Sequence, residues 1–228
     1  MNRHGLIAVA TGTGKTKSLQ VIAEQLSLKG VPSLLMDIKG DLSGLAAPGS
    51  NNDFIEKRHA GIGLPYDPMP LPVELMTISN GDGTRLKATI TEFGPVLLSK
   101  ILGLNDTQSS VISLIFVFAD KKKLPLIDLK DLRKILQYVV NEGKEEIASE
   151  YGAVASATVN TIMRKVIELE QQGADTFFGE RSFEPSDLLR TDENGHGISS
   201  VLRLMDIQSK PKLFSTFMLS LLAEIYGS

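Results

Sequence analysis

An α/β fold is expected of this chain, and three observations carry the expectation. A short apolar run, Gly5–Val9, leads into a glycine-rich turn. A segment with helical spacing, Lys15–Leu28, follows it. A second apolar run, Pro32–Met36, then closes on Asp37. Strand, loop, helix and strand in that order make a βαβ unit with parallel, buried strands. The length of 228 residues suits one large domain, or a domain carrying an insertion.

Each element has its own local grounds. Gly5–Val9 is apolar and ends in turn residues, which reads as a buried strand. In the next segment Leu19, Ile22, Leu26 and Leu28 recur near helical spacing, and Gly30 stands where a helix C-cap belongs. The loop "DIKGDLSGLAAPGSNN" is rich in Gly, Asp and Ser. Asp53–Ala60 suits a short helix, and the proline-rich "LPYDPMPLP" is a connector. Val73–Ile78 and Arg85–Ile90 read as strands on either side of "NGDG", a tight-turn signal. The texture then becomes helical, with apolar positions three and four apart over Leu97–Leu102, Thr107–Asp120, Leu129–Asn141 and Ala155–Gln172. Asp106 and Asp128 are the expected N-caps there. A loop with one short helix near Pro185–Leu189 leads to a strand at Ile198–Leu204. A final helix, Lys210–Tyr226, has Pro211 in its first turn.

Composition narrows the function classes. With 42% hydrophobic and 22% charged residues the chain has ordinary globular composition. A net charge of −3 makes no electrostatic case for DNA over the whole surface, and only a local basic patch such as Lys121–Lys123 would serve. There is no cysteine, which excludes disulfides and thiolate metal sites and fits a cytoplasmic protein. His4, His59 and His196 are scattered, so no metal centre built from protein ligands is expected. The longest apolar stretches, Val111–Ala119 and Phe214–Ile225, are too short for a bilayer span, and no membrane role is expected.

Thr11-Gly12-Thr13-Gly14-Lys15-Thr16 carries the chemical signal. A phosphate chain needs several donors without steric walls. Gly12 and Gly14 let successive backbone N–H groups converge on an anion. Lys15 extends an ammonium over the β and γ phosphates, and the Thr16 hydroxyl takes a place on Mg²⁺. The helix that begins here aims its positive end at the same anion. Thr11, Gly12, Thr13, Gly14, Lys15, Thr16 and Lys17 are therefore the expected ATP contacts, with Lys15 and Thr16 closest to the chemistry. The plainer alternative is a glycine-rich turn that merely joins strand to helix. One position is irregular: the pattern G-x-x-x-x-G-K-[ST] puts glycine where Val9 stands, and weakened nucleotide binding is expected from it.

Several separate stretches support a wider likeness. "NRHGLIAVATGTGKTKSLQ", "MDIKGDLSGLAAPG", "LLSKILGLNDTQ", "DLKDLRKILQYV", "LEQQGADTFFGE" and "DLLRTDENGHG" together resemble the YjgR-like family of bacterial proteins, related to the HerA/FtsK class of ring-forming P-loop ATPases. The resemblance implies a RecA-like P-loop NTPase core with an incomplete parallel sheet and a helical insertion. It also implies ATP and Mg²⁺ as cofactors, a cytoplasmic setting, and a homo-oligomer that is hexameric in the family. A DNA-translocating, helicase-like motor is implied for the complete protein. On this reading, residues 1–90 hold the P-loop βαβ part with an extra hairpin, 91–180 the helical insertion, and 181–228 the return to the core. Asp37, Lys39, Gly40 and Asp41 match a family signature after the second strand. They are expected near the ring interface or the nucleotide edge, or else are the polar end of a strand and its turn.

An ATPase of this class also needs an apolar strand ending in Asp-Glu, to order magnesium and polarise water. The runs ending at Asp37, Asp120 and Asp206 are not followed by Glu. In the family the acidic strand comes just after the helix that here ends at Tyr226, so the chain reads as a portion of a longer protein. Weak hydrolysis and an uncovered edge on the first strand are expected to follow. Two alternatives remain from the residues: a non-catalytic nucleotide-binding or protein-interaction module, and a P-loop kinase-type transferase.

Overall fold

A computed structural model describes the chain except residues 1–4, 9, 11, 13, 208, 209 and 228. It forms two compact units. The first comprises Met1–Met76, Asp82–Thr84 and Ser186–Met205, and the second Thr77–Gly81, Arg85–Pro185 and Asp206–Ser228.

A four-stranded sheet lies mostly in the first unit. Its strands are β1 (Ser33–Asp37), β2 (Val73–Thr77), β3 (Thr84–Arg85) and β4 (Ser199–Arg203), in the order β1-β4-β2-β3. β1 and β4 are parallel, with Ser33 opposite Ser199 and Asp37 opposite Arg203. The Ser199 amide donates to the Pro72 carbonyl at 2.9 Å, so β4 and β2 start at the same end of the sheet. Helix α1 (Lys15–Ser27) precedes β1 and stops as its spacing predicts. Gly30 has φ 74°, and the Val31 amide returns to the Leu26 carbonyl at 2.9 Å. Ala23 of α1 packs with Leu45 and Leu71, and Leu35 of β1 and Val73 of β2 lie against them. Helix α2 (Asp53–Ile62) is capped by Asn52, whose side chain accepts from the Ile55 amide at 3.0 Å.

The strand expected at Gly5–Val9 does not form over the described part of that run. Gly5–Ala8 is irregular and exposed, with Leu6 at 90%. A strand exists only through a neighbour that accepts its backbone hydrogen bonds. The four strands of the sheet are paired among themselves, and Gly5–Ala8 is not one of them. The uncovered edge expected on that first strand is thus an edge of β1 instead.

The second unit is helical: α3 (Ile90–Ile101), α4 (Asp106–Lys121), α5 (Leu129–Val140), α6 (Lys144–Tyr151), α7 (Ser156–Gln171) and α8 (Pro211–Gly227). Its core holds Phe93, Phe118, Phe177, Phe178 and Phe217 with the aliphatic stripes of α4, α5 and α7. Phe177 meets Phe217 edge-on at 5.9 Å, and Phe93 meets Phe178 at 5.4 Å. The expected strand Arg85–Ile90 shortens to Thr84–Arg85, because Thr89 and Glu92 close a capping box and start α3 at Ile90. Gly94, at φ 76°, breaks that helix just before Pro95. Asn105, not Asp106, caps α4, while Asp128 caps α5 as expected. α6 was not foreseen as a helix: its eight residues span two turns and bury one residue, Ile147. No helix among the described residues is long and apolar enough to cross a membrane.

Candidate functional site

The glycine-rich loop enters α1 in the conformation its residues allow. Gly12 has φ 85° and Gly14, the N-cap of α1, has φ 92°. Both lie in the left-handed region that only glycine adopts without strain. A Cβ built on either would meet no described atom within 4 Å beyond its chain neighbours. Among the described residues no side chain caps the first turn of α1, and no acidic residue stands in that turn, which leaves its amides and positive end for an anion. Lys15 and Lys17 are exposed and form no ion pair with a described residue. Thr11, Thr13 and the irregular Val9 lie outside the described residues.

The signature after β1 is brought to this loop. The Thr16 hydroxyl donates to Oδ2 of Asp41 at 2.8 Å across 25 residues of chain. One turn further along α1, the buried Gln20 amide donates to the Asp41 carbonyl at 2.8 Å. Asp41 is held from its other side by Asp37. The Asp37 carboxylate, 1% exposed, accepts the amides of Gly40 at 2.7 Å, Asp41 at 3.2 Å and Leu42 at 3.1 Å. A buried carboxylate is tolerated when backbone donors converge on it in this way. Lys39 is exposed on the same turn. Gly40, at φ 84°, lies so close to the Met205 sulfur that a Cβ there would collide with it.

The other acids expected to matter are engaged elsewhere. Asp120 lies on α4 rather than at the end of a strand. Within the second unit, Asp206 accepts the Ser79 hydroxyl, which also meets Thr77 Oγ1 at 3.0 Å. Among the described residues no three His, Cys, Asp or Glu side chains converge on a metal position. A divalent ion at Thr16 and Asp41 would thus need oxygens from a bound phosphate. Arg181 pairs with Glu92 and Glu184, Arg190 with Glu74 and Asp187, and Arg203 with Asp82. Arg164 donates to the Thr161 hydroxyl. In the basic run, Lys121 pairs with Glu150 and Lys122 with Glu146, which neutralises most of that patch.

With this geometry in place, the comparison with known families is specific. The helicase HerA-like C-terminal family model matches residues 1–228. The chain belongs to that family. Membership accords with the α/β architecture found here. For the HerA-like family in general it implies dependence on nucleotide and Mg²⁺. No match is found among curated proteins.

Residue spacing made the phosphate loop legible but not what lies beside it. Gln20 had no signal, because the apolar positions that place α1 are not its buried face: Leu19, Ile22 and Leu28 are exposed, and Gln20, Ala23 and Ser27 are buried. For Asp41 the resemblance pointed only to the ring interface or the nucleotide edge; its contact with Thr16 depends on how the β1 turn folds back.

Proposed function

We propose that this HerA-like chain is the ATP-binding portion of a HerA/FtsK-type ATPase. The observation that carries the reading is the loop itself: Gly12 and Gly14 in left-handed conformation, with Lys15 and Thr16 beginning a helix whose N-cap, Gly14, makes no side-chain capping bond. This donor set fits a magnesium–nucleotide. Backbone amides and Lys15 would hold the phosphates, with Thr11, Thr13 and Lys17 beside them, and the Thr16 hydroxyl and Asp41 carboxylate would face the metal. When bound, Mg²⁺ neutralises charge on the β and γ phosphates.

Hydrolysis by this chain alone is weak in this reading. β4 ends at Arg203, and Asp206 beyond it has no Glu neighbour and is engaged by Ser79. The complete motor would be a cytoplasmic homo-oligomeric ring, hexameric as the resemblance implies, acting on DNA. Titration of ATP in Mg²⁺ tests the site. Saturable binding lost in Lys15→Ala is the expected result; no binding, or binding indifferent to that change, would refute it. Equal ATP affinity of wild type and Val9→Gly would remove Val9 as a defect.

The engaged state of Asp206 favours a second reading, a nucleotide-responsive interaction module without turnover. Phosphate release above background, stimulated by DNA, would reject it in favour of the motor.

A further inference from the structure

We propose that Asp41 is a positioning residue for magnesium, the acidic partner of Thr16 that an Asp-Glu strand would otherwise supply. The proposal rests on the nucleotide reading above and deepens it. Three observations converge. The Asp41 Oδ2 already lies 2.8 Å from the Thr16 hydroxyl, a ligand suited to a hard cation. The residue is held in place independently of Thr16, because Asp37 binds its amide at 3.2 Å and Gln20 its carbonyl at 2.8 Å. Asp41 is also exposed, unlike Asp37, so its carboxylate has room for water in addition to the Thr16 proton.

The chemistry follows from the donor inventory. A threonine hydroxyl has one proton to donate and two lone pairs to accept with, and a carboxylate is acceptor only. A hydroxyl that donates its proton to Asp41 keeps its lone pairs free to face a cation. The carboxylate therefore orients Thr16 as a ligand and leaves its second oxygen to accept from a water on the metal. Mg²⁺ keeps several waters and takes few protein carboxylates, which suits one carboxylate at this distance better than a dedicated cage. The signature Asp37-x-Lys39-Gly40-Asp41 is then a device for delivering one charge: Asp37 folds the turn, Gly40 permits it, and Asp41 is presented to α1.

The test compares ATP binding in EDTA and in Mg²⁺ for wild type, Asp41→Asn, Asp41→Glu and Lys15→Ala, with Mn²⁺ binding in the presence of ATP read by electron paramagnetic resonance. Asparagine keeps a carbonyl to accept from Thr16 but loses the charge, so a merely structural role would survive it. Expected for wild type is affinity about tenfold or more tighter in Mg²⁺ than in EDTA. In Asp41→Asn that gain should fall below about twofold while the EDTA affinity is kept, and Asp41→Glu should restore part of it. Lys15-dependent binding whose magnesium gain survives Asp41→Asn would overturn this proposal alone. Absence of Lys15-dependent binding in the wild type would overturn the nucleotide reading and this proposal with it.

Discussion

The Asp37 carboxylate accepts the Gly40 amide at 2.7 Å, and through that bond β1 ends in a turn that faces α1. The amides of Asp41 and Leu42 share the same carboxylate, which is buried. Asp37→Ala would leave these donors without their partner, in a unit whose core is small. The expected loss is roughly 2–4 kcal/mol, since each stranded buried donor costs about 1–3 kcal/mol and water reaches part of the turn. Urea unfolding measures it, and a loss under about 0.5 kcal/mol would contradict the role given to Asp37.

Two glycines should respond in opposite senses to alanine. Gly197 precedes β4, and a Cβ there would run into the backbone of Val31 and Pro32 at the entry to β1. Backbone cannot yield as a flexible side chain does, so Gly197→Ala should cost about 3 kcal/mol or more and loosen the β1–β4 pair. Gly61 sits inside α2 with nothing within 4 Å of a built Cβ. Gly61→Ala should therefore stabilise by about 0.5–1 kcal/mol. Thermal melts of the two variants decide, and equal shifts would show the packing around Gly197 to be misjudged.

Gly14→Ala separates conformation from contact. At φ 92° an alanine is strained by about 1–2 kcal/mol, although no neighbour is met. The loop can relieve the strain only by leaving the arrangement that would cradle phosphates. ATP affinity should fall at least as far as in Lys15→Ala, whose melting point should stay at the wild-type value because Lys15 is exposed and lacks a described ion-pair partner. Retained affinity in Gly14→Ala would argue that the turn only joins segments.

The second unit should weaken in acid through α6. Glu146 pairs with Lys122 at 2.5 Å and accepts from the Tyr138 hydroxyl at 3.1 Å. The Lys122 hydrogen bond, and then that of Tyr138, holds the Glu146 carboxyl below its ordinary 4.5. Glu150 is lowered in the same way by Lys121. A carboxylate lowered in the folded state contributes stability above its unfolded value, and that contribution is lost as pH falls through the folded value. The affected window therefore lies below about pH 4.5. Glu146→Gln should melt below wild type near neutrality, and the difference should close toward about pH 3. A constant difference across that range would exclude the ion pair as its source.

What the sequence determined by itself was local. The spacing of Leu19, Ile22 and Leu26 and the stop at Gly30 placed α1. Asp128 placed the start of α5, and Pro185–Leu189 was recovered as a short helix. Glycines at 12 and 14 marked the turn into α1. Helix periodicity, caps and left-handed glycines act within about one turn of chain, so they can be read from neighbouring residues. Tertiary structure alone decided that Gly5–Ala8 stays out of the sheet, that β4 pairs with β1, and that Thr16 meets Asp41. Each of these depends on a partner far along the chain, and only the fold sets whether that partner comes within the 3 Å or so a hydrogen bond requires.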